Sequence, residues 1–189
     1  MQDLKPAILM PVAFTLICGG IYPALVTGVA QGIFPKQARG SFITDGNGRE
    51  VGSALIGQPF SAPQYFWPRP SATAGFPYNP AASGGSNLGP TNPAYLKQVE
   101  ERIKVLRDAG IAGPLPADLV QASGSGLDPH ISPEAALVQV PRVARARGIT
   151  ADEVERLVSA HTEDRQFGLL GYHRVNVLAL NLALDRLTP

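Results

Sequence analysis

Thirty consecutive residues, Pro6 to Pro35, carry no Lys, Arg, Asp, Glu or His side chain. A bilayer's hydrocarbon core is about 30 Å thick, so a helix crosses it with roughly 20 mostly apolar residues. Ala7 to Phe34 exceeds that length and carries Ile8, Leu9, Met10, Val12, Phe14, Leu16, Ile17, Ile21, Leu25, Val26 and Val29. Pro11, Gly19, Gly20, Pro23 and Gly28 would weaken a water-exposed helix, but both residue types are commoner in membrane helices. Lys5 and Lys36 bracket the stretch, where their heads reach the interface. Two other readings compete. Gly28 and Ala30 are small enough for signal-peptide cleavage, yet a signal core runs about 7–15 residues. A buried core helix would be shorter and punctuated by polar residues. The expectation is a retained anchor over residues 1–35 and one domain over 36–189. Lys36 and Arg39 after the span outnumber Lys5 before it, but long domains cross largely regardless of such counts, so charge leaves the side open.

The remaining 150 or so residues are a usual size for one domain and enough to bury a core. Net charge is +1, with acids and bases mixed along the chain. That excludes the basic face of a nucleic-acid binder. The one cysteine, Cys18, lies inside the span, so the domain has neither a disulfide nor a cysteine metal site; many domains outside the cytoplasm lack disulfides too. Glycine (20) and proline (18) make up a fifth of the chain, against roughly 12% on average. Most of the excess falls between Gly57 and Pro93, interleaved with Phe60, Tyr65, Phe66, Trp67, Phe76 and Tyr78. A disordered linker would lack those aromatics, so the segment reads as an ordered surface built on turns.

Ser41–Ile43 and Ala54–Ile56 are expected as short strands around the turn Asp45-Gly46-Asn47-Gly48, with Tyr65–Trp67 as a third. Helices dominate the second half. Asn92 caps one that Pro93 opens and Gly110 ends, with Tyr95, Leu96, Val99, Ile103 and Leu106 at helical spacing. Ser132-Pro133-Glu134 starts another, interrupted at Pro141 and ended by Gly148. Thr150 and Glu153 form a capping box for a third. Val175–Leu187 alternates like a strand, but its length, alanines and leucines favour a helix capped by Asn176. The fold class is α+β: one transmembrane helix followed by one mixed α/β domain.

Two glycine-rich segments stand out. Ser83-Gly84-Gly85-Ser86-Asn87-Leu88-Gly89-Pro90-Thr91-Asn92 leads into a helix N-terminus, where free N–H groups attract anions. It lacks the Lys-Ser/Thr of a P-loop, and no dinucleotide-type G-x-G-x-x-G is present; positive-φ turns with Ser and Asn satisfying the backbone explain it equally. Ser123-Gly124-Ser125-Gly126-Leu127-Asp128-Pro129-His130 places serine, aspartate and histidine together, which invites a membrane-anchored serine hydrolase using Ser123 or Ser125. However, it is not the G-x-S-x-G elbow, and triads assemble from distant segments. Asp128 suits a turn before Pro129. His161 and His173 have no histidine or cysteine partner at ligand spacing, so no metal site is expected. Arg142, Arg145 and Arg147 read as a solvated helix face with some scope for partner or phosphate contact.

Taken together, these segments resemble the KdpC family, a subunit of the bacterial potassium-transporting Kdp ATPase. The likeness runs through Tyr22-Pro23, Gly57-Gln58, Tyr65-Phe66, Arg69-Pro70-Ser71-Ala72, the Ser83–Asn92 decapeptide and Ser123–His130. It continues through Gln139, Arg142-Val143-Ala144-Arg145-Ala146-Arg147, Gly168–Gly171 and Arg174-Val175-Asn176-Val177-Leu178 with Leu180-Asn181. The resemblance implies a single-pass inner-membrane subunit with its domain outside the cytoplasm. Its implied partners are a channel-like potassium-translocating subunit, a P-type ATPase subunit and a small single-span peptide, besides membrane lipid. It implies a subunit without enzyme activity of its own that acts as a catalytic chaperone, raising the ATPase subunit's affinity for ATP, with ATP a ligand of the complex and potassium the transported ion. No covalently bound cofactor is implied. A domain outside the membrane cannot touch cytoplasmic ATP, so assembly or a contribution to the outer potassium entrance fits the topology better. The candidate partner- or ligand-contacting residues are Ser83, Gly84, Gly85, Ser86, Asn87, Gly89, Asn92, Ser123, Ser125, Asp128, Gln139 and Arg142.

Overall fold

The structure is a computed structural model and describes residues 3–46 and 48–187. By its contacts the chain divides into two units, one ending at Phe42 and one beginning at Ile43.

The first unit is a helix unbroken from Leu4 to Ile33. It comprises α1 (Leu4–Leu16), a π-helical turn at Ile17–Ile21 and α2 (Tyr22–Ile33). No residue of the three pieces is buried. A helix apolar on every side and covered on none matches a lipid-embedded segment. Its length and mean hydropathy of 1.9 suffice for one crossing. Phe34 breaks the helix, and a single turn, α3 (Pro35–Ala38), follows.

A two-stranded sheet follows, β1 (Phe42–Thr44) and β2 (Glu50–Ser53). The first strand starts one residue later than the sequence suggests, because Ser41 sits at φ +52°, outside the strand region. The second ends before Ala54, where the chain turns. From Gly57 to Asn92 the chain is irregular but ordered, relieved only by a 3₁₀ turn at Pro80–Ala82.

The helices begin and end where their capping residues dictate. Asn92 Oδ1 accepts from Ala94 N–H to start α4 (Pro93–Asp108), and Gly110 at φ +83° closes it. A short α5 (Ala117–Val120) leads to β3 (His130–Ile131). Ser132 caps α6 (Pro133–Leu137); α7 (Val140–Arg147) restarts with Pro141 in its first turn and stops at the left-handed Gly148. Both halves of the Thr150–Glu153 capping box are made at the head of α8 (Ala151–Ala160). After β4 (Thr162–Glu163), the C-terminal run divides: β5 covers Arg174–Asn176 and α9 covers Val177–Leu187. Asn176 Oδ1 accepts from Ala179 N–H, so the residue that ends the strand also caps the helix.

Strands β3, β5 and β4 form an antiparallel sheet in that order, with Ile131 opposite Val175 and Thr162 opposite Val175 on the other edge. Against it pack Val140 and Val143 of α7, Val154 and Val158 of α8, and Leu180 and Leu184 of α9, with Leu106 of α4 closing the core. Phe66, fully buried, enters this core from the irregular segment.

Candidate functional site

Tyr65–Trp67 is extended but belongs to no strand. Instead of a neighbouring backbone it is held by side chains from α7 and α9 and from the residue before α7. Asn181 accepts from Phe66 N–H at 2.8 Å and donates to Phe66 C=O at 3.0 Å. Gln139 repeats the arrangement on Trp67, accepting at 2.7 Å and donating at 3.1 Å, with a second donation to Ala135 C=O. Arg142 donates to Pro63 C=O and to Gln139 Oε1, and its guanidinium lies 4.2 Å from the Trp67 ring centroid. Arg147 donates to Gln64 C=O and pairs with Asp185 at 2.7 Å, while Asp185 accepts from Tyr65 Oη–H. Five successive residues, Pro63 to Trp67, are thus each gripped through a backbone or side-chain group.

Gln139 and Arg142 therefore act within the fold. Gln139 is fully buried and Arg142 nearly so. Burial lowers the Arg142 guanidinium pKa to about 10, leaving it charged at neutral pH. The solvated-face expectation holds for the exposed Arg145; Arg142 and Arg147 instead turn inward, because the carbonyls of Pro63 and Gln64 supply acceptors that water would otherwise provide. A polar residue amid the leucines of α9, Asn181, was the available sequence signal for this grip.

The two glycine-rich segments lie against each other. Gly84 N–H donates to Ser125 C=O at 2.8 Å, and Ser83 Oγ–H donates to the same carbonyl. A Cβ on Gly85 would stand 3.1 Å from Gly124 O. Gly126, at φ +68°, leaves no room for a Cβ, which would meet Thr73 Cγ2 at 2.5 Å and Gly84 O at 2.7 Å. Ser71 Oγ–H donates to Gly126 C=O and Ser71 Oγ accepts from Tyr78 N–H, tying the Arg69–Ala72 segment into the crossing. Ser123 is buried, and its N–H donates to Pro70 C=O. Ser83, Asn87, Gly89 and Ser125 are exposed, with Gly84, Gly85, Ser86, Asn92 and Asp128 half-buried. Asn87 is left-handed at φ +53°, and Asn92 is engaged as the α4 cap.

Beside the crossing lies a charged cluster. Asp128 Oδ2 pairs with Arg69 at 2.9 Å; Asp128 Oδ1 accepts from His130 N–H at 3.0 Å and faces His130 Nδ1 at 3.4 Å. Burial pulls the Asp128 carboxyl pKa up, but the hydrogen bonds from His130 and Arg69 outweigh it and hold it below its ordinary value. Tyr78 Oη–H donates to Arg69 C=O, and burial pushes the phenol pKa well up, reinforced by Asp128. Gly57 lies so close that a Cβ would meet Tyr78 Cε1 at 2.4 Å and Asp128 O at 2.8 Å. Arg69 lines both a cleft of about 500 Å³ with Trp67, Tyr78 and Arg102, and a groove with Asp118, His130 and Arg174.

This geometry builds a shaped surface, and the parts of a serine nucleophile are not assembled. Among the described residues neither Ser123 nor Ser125 is hydrogen-bonded to a histidine ring: Ser125 Oγ accepts from Leu127 N–H, and His130 addresses Asp128. Among them, too, no group of three His, Cys, Asp or Glu side chains is placed to hold a metal.

Comparison with known proteins gives one answer. Residues 4–186 match the family model described as KdpC, the K+-transporting ATPase c chain. The potassium-transporting ATPase KdpC subunit of Geobacter sulfurreducens is 75% identical over 189 residues, covering both chains completely. That of Geobacter metallireducens is 72% identical over the same full lengths. The Burkholderia vietnamiensis subunit is 59% identical over 184 residues, covering 96% of this chain and 95% of its own.

Proposed function

From the premise that this chain belongs to the KdpC family, we propose that it serves as the non-catalytic accessory subunit of an ATP-driven potassium import complex. The Leu4–Ile33 helix anchors it in the inner membrane by a single pass, and the folded unit works outside the cytoplasm. ATP hydrolysis belongs to a partner subunit, since this chain carries neither a P-loop nor the Asp-Lys-Thr-Gly-Thr of phosphorylated pumps.

A potassium-translocating channel-like subunit, a P-type ATPase subunit and a small single-span subunit surround the anchor and the domain. The observation that carries this reading is the match over the whole length to potassium-transporting ATPase subunits. The crossing of the two glycine-rich loops supports it, because it presents Ser83, Asn87, Gly89 and Ser125 on a surface held by main-chain contacts. Such a surface suits docking at the outer face of a channel. The exposed Asn87 and Ser125 side chains offer oxygens that suit a cation's approach. Asp128 contributes indirectly, because both of its oxygens are engaged by Arg69 and His130. ATP and potassium are ligands of the complex, and the topology favours an effect on turnover through assembly over direct nucleotide contact.

The test is mild-detergent extraction of the full chain from membranes of cells grown at low potassium, with mass spectrometry of whatever accompanies it. A P-type ATPase and a channel-like subunit are expected. Recovery of the chain alone, from membranes shown to contain those subunits, would overturn the reading. Asn87→Ala is expected to shift the apparent potassium affinity of the intact complex or its yield; a complex unaltered in both removes the first loop from the contact surface.

A further inference from the structure

Between β4 and β5 the chain projects a loop whose large apolar side chains lie open to solvent: Phe167 is 92% exposed, Leu169 81%, Leu170 60% and Tyr172 82%. Gly168–Gly171 belongs to the stretch shared with the KdpC family but has no role in the contacts proposed so far. We propose that this loop is a preformed apolar knob that seats in an apolar pocket on a membrane-embedded protein subunit. The inference rests on the accessory-subunit reading and adds to it the element that docks and the chemistry of its receptor.

Three observations favour a shaped protein pocket over lipid. First, the loop is closed by its own backbone. Gln166 and Leu170 exchange two backbone hydrogen bonds of 2.9 Å, and Gly168 and Leu169 N–H groups donate to Arg165 and Gln166 C=O. An ordered loop loses little freedom on docking, an advantage realised only against a receptor of matching shape. Second, Phe167 is held at φ +55°. A bulky residue adopts that region at a cost, and glycine would fit it freely. An aromatic ring kept there at full exposure does nothing for the fold and points to a contact outside it. Third, the loop carries no excess of basic charge: Glu163 pairs with Arg174 at 2.8 Å, Asp164 lies 3.0 Å from His173, and the Arg165 guanidinium sits 5.9 Å from the Tyr172 ring centroid. Surfaces that insert into anionic lipid combine apolar residues with an excess of Lys and Arg, whereas here Glu163 and Asp164 offset Arg165 and Arg174.

Size fits one point of a multipoint attachment. A buried aromatic contributes about 150–250 Å², so the loop covers several hundred, short of the roughly 800 Å² per partner typical of a stable interface. The membrane helix, holding the domain at high effective concentration beside its neighbours, supplies what the loop lacks. Tyr172 and His173 also line a groove of about 930 Å³ together with Leu115 and Ile131, so a partner seated on the knob continues into it.

The test places a photoreactive benzophenone amino acid at Leu169 in the full chain, irradiated in native membranes. Lys97, an exposed residue of α4, carries the same probe as control. The expected result is an adduct with a larger membrane subunit, enriched about tenfold over the control, as suits a central contact. An adduct with lipid alone or with a second copy of this chain, or no enrichment over Lys97, overturns the proposal. Co-extraction from the same membranes separates the two readings. Partners recovered without a Leu169 adduct defeat the knob alone; no partners recovered defeats the accessory role. Phe167→Gly gives an independent arm, since it removes the ring and relieves the backbone. Unfolding temperature should hold or rise while partner retention in stringent detergent falls about tenfold; undiminished retention overturns the proposal.

Discussion

Asn181, one turn into α9, pairs with the backbone of Phe66 as a neighbouring strand would, its carboxamide accepting from the N–H and donating to the C=O 115 residues away in sequence. Both partners are buried, Phe66 completely and Asn181 to within 1%. Buried backbone groups need partners, and here one side chain supplies both.

Asn181→Leu should therefore cost about 2–5 kcal/mol, since it strands an N–H and a C=O in the core. Asn181→Asp, which keeps the acceptor and loses the donor, should be destabilising as well. Denaturant unfolding of the full chain in mild detergent measures both; a loss under about 0.5 kcal/mol for the leucine variant would mean that the extended segment finds other partners.

The crossing of the two glycine-rich loops predicts an order among alanine substitutions. Gly126→Ala meets Thr73 and the Gly84 carbonyl at a positive φ and should be the most damaging of the three. Gly85→Ala, tight against Gly124 O, should be milder, and Gly84→Ala, with nothing within 4 Å, near neutral. Losses of about 2–4, 1 and 0 kcal/mol follow from overpacking and backbone strain. Thermal melts of the three variants check the ranking, and a neutral Gly126→Ala would contradict it.

Acid should weaken the charged cluster. The Asp128 carboxyl is held below its unfolded value of about 3.9. Its contribution is thus present above that value and is lost as pH falls through it towards the lower folded pKa. The native chain should lose more stability below about pH 5 than Asp128→Asn does. At neutral pH the variant should be weaker by about 1–3 kcal/mol, having lost charge-assisted bonds to Arg69 and His130. Parallel acid melts of the two proteins decide it.

Ser125→Ala should cost the fold only the weak turn bond to Leu127 N–H, about 0.5–1 kcal/mol, and should not abolish ATP hydrolysis by the intact complex, as loss of a nucleophile would. A fluorophosphonate probe should not label the chain. Labelling that Ser125→Ala abolishes would bring back the anchored-hydrolase reading.

Most of the helical framework was legible because capping is local chemistry. Asn92, Ser132, Thr150 with Glu153, and Gly148 each act within a few residues of themselves, and each does so in the fold. The anchor was legible because thirty uncharged residues admit few other uses. The expected strand at Tyr65–Trp67 was not found, for the opposite reason: an extended apolar triplet reads as a strand, and its true partners are side chains of Gln139 and Asn181, far along the chain. The two- and three-residue strands β3, β4 and β5 are too short to show a period. The candidate residues divide similarly. The glycine-rich segments announced themselves by composition, whereas their crossing, and the inward turn of Arg142, depend on contacts that spacing does not encode.

The π turn at Ile17–Ile21 carries a consequence for the anchor. Such a turn is equivalent to one extra residue in an α-helix, which shifts everything beyond it by about 100° around the axis. A row of side chains followed upward through Met10 and Phe14 therefore steps sideways before it reaches Val26. Gly20, Ala24, Gly28 and Gly32, which recur every fourth residue, all lie from that turn onward. The two leaflets consequently meet two differently oriented surfaces of one helix. Deleting a single residue within the turn would rotate one surface against the other without shortening the span by more than about 1.5 Å.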